Sequence, residues 1–144
     1  MYKVIVVDDE SLIRRGLREK INWNSMGFEI AGEASNGLEA LALVNSVNPD
    51  IIITDMKMPV MDGIKLLEAI RKSYGNIKVI VVSAYSSFNF TQAAVKCGAF
   101  DYILKPIDGN ELMDVLLRAR ISIEAHKKQS DMSEAPYIQQ QQSY

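Results

Sequence analysis

Five polar residues of this chain stand directly behind apolar runs, and their types suit the handling of a phosphoryl group. Asp8 and Asp9 follow Lys3-Val4-Ile5-Val6-Val7, and Asp55 follows Ile51-Ile52-Ile53-Thr54. Ser83 follows Lys78-Val79-Ile80-Val81-Val82, and Lys105-Pro106 follows Tyr102-Ile103-Leu104. In an open parallel α/β sheet all strand carboxyl ends lie on one edge, and ligands bind in the crevice where strand order reverses. One sheet edge would therefore collect three carboxylates, a hydroxyl and an amine. Clustered carboxylates repel, so they either protonate or recruit a cation. Mg²⁺ takes oxygen ligands, keeps several waters and commonly binds through one or two carboxylates plus phosphate oxygens. A lysine and a serine suit the remaining phosphoryl oxygens, the first as a point charge and the second as a donor. An aspartate can itself be the nucleophile that accepts the phosphoryl group.

The elements that must position these groups are written in alternating strand and helix patterns, five of each, which is the signature of βαβ units in a doubly wound parallel sheet. Residues 3 to 7, 51 to 54 and 78 to 82 are nearly unbroken apolar runs, as expected of central strands covered on both faces. Phe28 to Ala34 and the short Asp101 to Leu104 suit the two edges. The flavodoxin-like strand order 2-1-3-4-5 would place Asp9 and Asp55 on neighbouring strands at the switch point. Asn36 with Glu39, and Asp108 with Glu111, have capping-box spacing, and Asp62 before Gly63-Ile64 reads as another cap. Ile64, Leu67 and Ile70 form one sheet-facing stripe, and Leu112, Val115, Leu116, Ala119 and Ile123 form another. The last helix is expected to fray from Glu124 onward.

Taken in order, these pieces resemble the receiver domain of two-component response regulators from about Met1 to Glu124. The resemblance rests on Val7-Asp8-Asp9-Glu10, on Asp55-Met56-Lys57-Met58-Pro59 with Met61-Asp62-Gly63, on Ser83-Ala84, and on Ala99-Phe100-Asp101-Tyr102-Ile103-Leu104-Lys105-Pro106. It implies a CheY-like fold with Asp55 as phosphoacceptor. It further implies that Asp8, Asp9, Asp55 and the Lys57 backbone carbonyl hold Mg²⁺, and that Lys105 and Ser83 grip the phosphoryl group. Tyr102 falls at the family's switch aromatic, which implies that Ser83 is drawn toward the phosphoryl group, that Tyr102 enters the space it leaves, and that the face of the fourth helix, fifth strand and fifth helix changes. That face pairs receivers as homodimers. Lys57 and Tyr85, each two residues past a site residue, would tune the phosphorylated lifetime by flanking the path of attacking water. The implied donor is a sensor histidine kinase, and the chain would catalyse only its own phosphorylation and dephosphorylation. Asn22-Trp23 with Gly27-Phe28 is similar to receivers joined to AraC-type DNA-binding domains, so transcriptional output is expected through a domain outside residues 1 to 144. A receiver that signals alone by protein contact is the alternative.

Composition agrees. Sixteen Lys and Arg against eighteen Asp and Glu leave a formal charge of -2, which argues against a nucleic-acid surface on these residues. Nothing here reads as a helix-turn-helix with a basic face. A lone Cys97, no signal-peptide pattern and no apolar run of the length needed to span a membrane point to the cytoplasm. Residues 1 to 125 are expected to form the receiver. Residues 126 to 144, with Pro136 and the run Gln139 to Gln142, read as a polar tail or linker.

Each residue also has a plainer reading. Asp8-Asp9 could be a turn, Asp55 a helix cap and Lys105 a surface lysine. A residue before proline is held extended, however, and the resemblance implies a cis Lys105-Pro106 bond. His126 is read as a solvated residue, Cys97 as a small buried hydrophobe, and Trp23 as a packing anchor. Met56, Met58 and Met61 are read as flexible apolar cover rather than an oxidation sensor. A phosphatase of the haloacid dehalogenase type would want an aspartate where Lys57 stands. A flavin module would find its phosphate repelled by Asp8-Asp9-Glu10, and no Walker-type loop is present.

Overall fold

β-branched and leucine-rich runs separated by capped amphipathic segments fold here into alternating strands and helices. The computed structural model describes the backbone of residues 1–85 and 88–143 and the side chains of residues 1–85 and 88–129. Strands β1 (Tyr2–Val7), β2 (Phe28–Ala34), β3 (Ile51–Asp55), β4 (Lys78–Ser83) and β5 (Asp101–Leu104) form one sheet in the order β2-β1-β3-β4-β5. All four pairings are parallel, as the sequence predicts. Helices α1 (Ser11–Lys20), α2 (Gly37–Val47), α3 (Gly63–Ser73), α4 (Phe88–Lys96) and α5 (Gly109–Ser143) provide the crossovers and the final cover.

The period of two along each strand divides the core. Val4, Val6, Ile51, Ile53, Ile80, Val82 and Ile103 face one side, where they meet Leu17 of α1, Trp23 and the α5 stripe Leu112, Val115, Leu116, Ala119 and Ile123. Ile5, Val7, Ile52, Val79 and Val81 face the other, against Ala40 and Val44 of α2, Leu66, Leu67 and Ile70 of α3, and Ala94 of α4. Fully burying one such aliphatic side chain contributes about 1.5–3 kcal/mol, so both faces hold the sheet edge rigid beneath the site. Trp23 is the packing anchor expected: it is buried, and its indole N–H donates to the Leu17 carbonyl at 3.1 Å.

The helix starts follow the capping chemistry, with one difference in detail. Asn36, Asp62 and Asp108 accept from the backbone N–H groups of Glu39, Lys65 and Glu111 at 2.9, 2.9 and 3.1 Å. Glu39 reaches back not to Asn36 but to the N–H and hydroxyl of Ser35, at 2.9 and 2.8 Å, contacts that hold its carboxyl below the usual range.

Where fraying is expected, from Glu124 onward, the backbone keeps helical geometry. Tyr2, at the start of β1, donates its hydroxyl to Glu124 at 3.2 Å, and Lys127 stands over the same ring at 5.1 Å. The backbone stays helical to Ser143. Glu, Ala, Lys and Gln between 124 and 129 favour this state. The side chains of Pro136 and of Gln139 to Gln142 lie outside the described residues.

Candidate functional site

Parallel pairing of β1 with β3 brings Asp8, Asp9 and Asp55 together at the sheet's carboxyl edge. One carboxylate oxygen of each lies within 4.8 Å of the others. Asp8 is buried at 2% exposure; its Oδ1 accepts the Glu10 N–H at 2.9 Å and its Oδ2 accepts from Lys105 Nζ at 3.1 Å. Asp55, half-buried, accepts the Met56 N–H at 2.9 Å and lies 3.4 Å from the same ammonium. Asp9 is exposed, which leaves the cluster open to solvent on one side. Lys105 comes from the end of β5 and crosses the end of β4 to reach this cluster; its own N–H is held by the Ser83 carbonyl at 2.8 Å, and the Lys105-Pro106 peptide is cis.

The charges do not balance. Burial, followed by the Asp8 carboxylate, pushes the Asp55 carboxyl above its ordinary value, against the pull of Lys105 and the Met56 N–H. Burial lowers the Lys105 ammonium, but Asp55 and Asp8 outweigh it and the net shift is upward. One ammonium among three carboxylates leaves an all-oxygen donor set with surplus negative charge and an open side. That set fits a hard divalent cation that keeps part of its water shell.

The remaining residues lie around Asp55. Ser83 is fully buried, and its hydroxyl accepts the Tyr85 N–H at 3.0 Å and lies 4.0 Å from Met56 Sδ rather than on the carboxylates. Tyr102 donates its hydroxyl to the Tyr85 carbonyl at 2.6 Å. The Lys57 side chain does not join the cluster. Its ammonium stands 4.6 Å from the Tyr85 ring centre and 4.7 Å from that of Phe90, whose rings are 5.0 Å apart. A cation between two aromatic faces is attracted by both.

Arg14 and Phe90 were not singled out from sequence, and Gly63 was noted only within its motif and behind the Asp62 cap. Arg14 donates to the Asp8 carbonyl at 2.6 Å and to Glu33 at 3.0 Å, fixing the peptide that carries the acidic pair. Arg14 and Arg18, one helical turn apart, are the signal that was available. Phe90, on α4, completes the seat of Lys57. Gly63 donates its N–H to the Met56 carbonyl at 2.8 Å, and a Cβ there would land on the Asp55 carbonyl oxygen. Only glycine allows α3 to start this close to the end of β3. His126 is exposed, and Cys97 is partly buried with its thiol pushed up by burial and by Glu68, consistent with their plainer readings.

Comparison with known proteins adds the following. The family model of the response regulator receiver domain matches residues 4–117. The transcriptional regulatory protein HptR of Staphylococcus aureus MRSA252 is 35% identical over 136 residues, which is 94% of this chain and 53% of that protein. The chain spans about half the length of the curated relatives of this kind. The REC domain of AraT, a response regulator from Geobacillus stearothermophilus, has a TM-score of 0.81 at 36% identity over 88% of this chain and 98% of that one. A chain of the CheX-CheY-BeF3-Mg complex from Borrelia burgdorferi has a TM-score of 0.74 at 30% identity over 81% and 87%. Among the described residues no helix is long and apolar enough to cross a membrane.

Proposed function

This chain belongs to the response regulator receiver domain family of two-component systems, and from that premise we propose that it is a switch in which Asp55 accepts a phosphoryl group from a sensor histidine kinase. The observation that carries the reading is the position of Lys105, whose ammonium lies 3.1 Å from Asp8 and 3.4 Å from Asp55. A charge placed there meets a phosphoryl oxygen on Asp55 without a large rearrangement.

In the transfer, a carboxylate oxygen of Asp55 attacks phosphorus. The bond between phosphorus and the kinase imidazole nitrogen breaks, and its electron pair leaves on that nitrogen. Asp8, Asp9 and Asp55, with the Lys57 carbonyl, would hold Mg²⁺, an assignment that the Mg of the Borrelia complex supports. Bound there, the ion supplies positive charge against the phosphoryl oxygens. Lys105 neutralises one oxygen, and the Ser83 hydroxyl turns its proton to another. Tyr102 then gives up the Tyr85 carbonyl and moves inward, so the face of α4, β5 and α5 changes and two copies pair. The chain acts on no substrate but itself. Relatives about twice its length are transcriptional regulators, which supports a DNA-binding output domain, and a cytoplasmic setting, for the whole protein.

Intact mass tests the core of this. After incubation with Mg²⁺ and acetyl phosphate, the wild type is expected to gain one phosphoryl group, while Asp55→Asn and a chelated control gain none. An equal gain by Asp55→Asn would remove the assignment.

A further inference from the structure

Met56 is the residue after the acceptor, and its role is not exhausted by apolar cover. Its N–H holds the Asp55 carboxylate at 2.9 Å. Its side chain is 2% exposed, and its sulfur lies 4.0 Å from Ser83 Oγ and 3.9 Å from the Tyr102 hydroxyl. Those two hydroxyls grip the two ends of one residue: Ser83 accepts the Tyr85 N–H at 3.0 Å, and Tyr102 donates to the Tyr85 carbonyl at 2.6 Å. The contacts close a ring from the Met56 sulfur through Ser83, Tyr85 and Tyr102 back to the same sulfur.

We infer that the Met56 thioether is a positioning residue that accepts the Ser83 hydroxyl proton, holds Ser83 in the resting arrangement beside Tyr102, and so sets how readily the acceptor site switches. This rests on the receiver reading above. Ser83 has one proton to give. The Tyr85 N–H occupies its oxygen as a donor, so the Ser83 proton points elsewhere, and the sulfur is the acceptor it meets. A thioether is a weak acceptor, so a phosphoryl oxygen on Asp55 takes that proton from it at small cost. A stronger acceptor at the same place would hold Ser83 back. An aliphatic side chain of the same size would leave a buried hydroxyl unsatisfied in the resting arrangement only, and would tilt the balance toward the switched one.

The test titrates beryllofluoride with Mg²⁺ into the wild type and its variants, following the Tyr85 amide resonance by NMR. Met56→Leu keeps volume and apolarity, so it is expected to fold. Loss of a weak hydrogen bond from the resting arrangement should tighten its beryllofluoride binding roughly two- to fivefold. In the free protein its Tyr85 amide resonance should already move toward the bound position. Met56→Gln, with a stronger acceptor on a chain of similar length, should weaken binding. In a Ser83→Ala background Met56→Leu should change nothing, because the proton that the sulfur holds is gone. Unchanged or weaker binding by Met56→Leu, or the same tightening without the Ser83 hydroxyl, would overturn the inference and leave the receiver reading intact. A wild type that gives no response to beryllofluoride and Mg²⁺ would remove both.

Discussion

Replacing Asp55 by Asn tests the electrostatics of the site independently of phosphorylation. Asp8 and Asp55 present oxygens within 4.8 Å, and at an effective dielectric near 20 that repulsion costs about 3.5 kcal/mol. Lys105 stands 3.4 Å from Asp55, and the same arithmetic gives about 5 kcal/mol of attraction. Asp9 is exposed, so its repulsion lies near the aqueous limit of about 1 kcal/mol. The pairwise effects on Asp55 nearly cancel. What is left is the cost of burying the carboxylate, the leading cause of its raised pKa. Lys105 keeps Asp8 in the variant, and the Asn side-chain oxygen still accepts the Met56 N–H. Asp55→Asn is therefore expected to be more stable than wild type by about 1 kcal/mol in metal-free buffer at neutral pH, a rise in Tm of roughly 3 °C.

The sign with pH follows from linkage. A carboxyl whose folded pKa is raised binds its proton more tightly when folded, so it costs stability only once ionised. The advantage of the variant should be full above the raised folded value, shrink as pH falls through it, and vanish below the ordinary 3.8. Mg²⁺ should act the other way. At ten times its Kd a ligand adds about 1.4 kcal/mol, and Asp55→Asn, with one ligand weakened, should gain less. Thermal and urea melts with chelator or with Mg²⁺, at neutral pH and near pH 4, read all of this. A variant less stable than wild type in chelator at neutral pH, or one stabilised equally by Mg²⁺, would refute the reasoning.

Three other substitutions probe separate parts of the site. Lys105→Met leaves Asp8 buried without its cation; urea melts in chelator should show a loss of about 2–3 kcal/mol, while calorimetry shows tighter Mg²⁺ binding because the competing ammonium is gone. Gly63→Ala drives a methyl group onto the Asp55 carbonyl oxygen; it should cost about 3 kcal/mol in urea melts, and an unchanged midpoint would contradict the close approach of α3. Tyr85→Ala removes the exposed ring beside Lys57; if that ring shields the acyl phosphate by about 1 kcal/mol, the phosphorylated half-life followed by intact mass should fall about fivefold, and an equal or longer half-life would reject the shielding role.

The meeting of Asp8, Asp9, Asp55 and Lys105 was legible because a parallel sheet places every strand's carboxyl end on one edge, so a polar residue just past an apolar run has only one place to go. The two core faces were legible for a related reason, since alternation along a strand is a local property. Other features were not. Whether the Lys57 side chain faces the acceptor or an aromatic pair is settled by Phe90, thirty-three positions away in sequence. The resting partners of Ser83 are Tyr85 and Met56, and Met56 reaches it through the β3–β4 pairing. At Glu124, α5 meets Tyr2, at the other end of the receiver.

The sequence by itself determined the elements and the set of groups that meet at one edge, because periodicity, caps and the geometry of parallel crossovers are local or topological constraints; the strand order came with the flavodoxin-like pattern. Tertiary structure alone decided how those groups share charge and protons: Lys105 between two carboxylates, Ser83 against a sulfur, and Lys57 turned onto two rings. Distances of three to five ångströms between residues far apart in the chain set Coulomb and hydrogen-bond energies, and no local pattern encodes them.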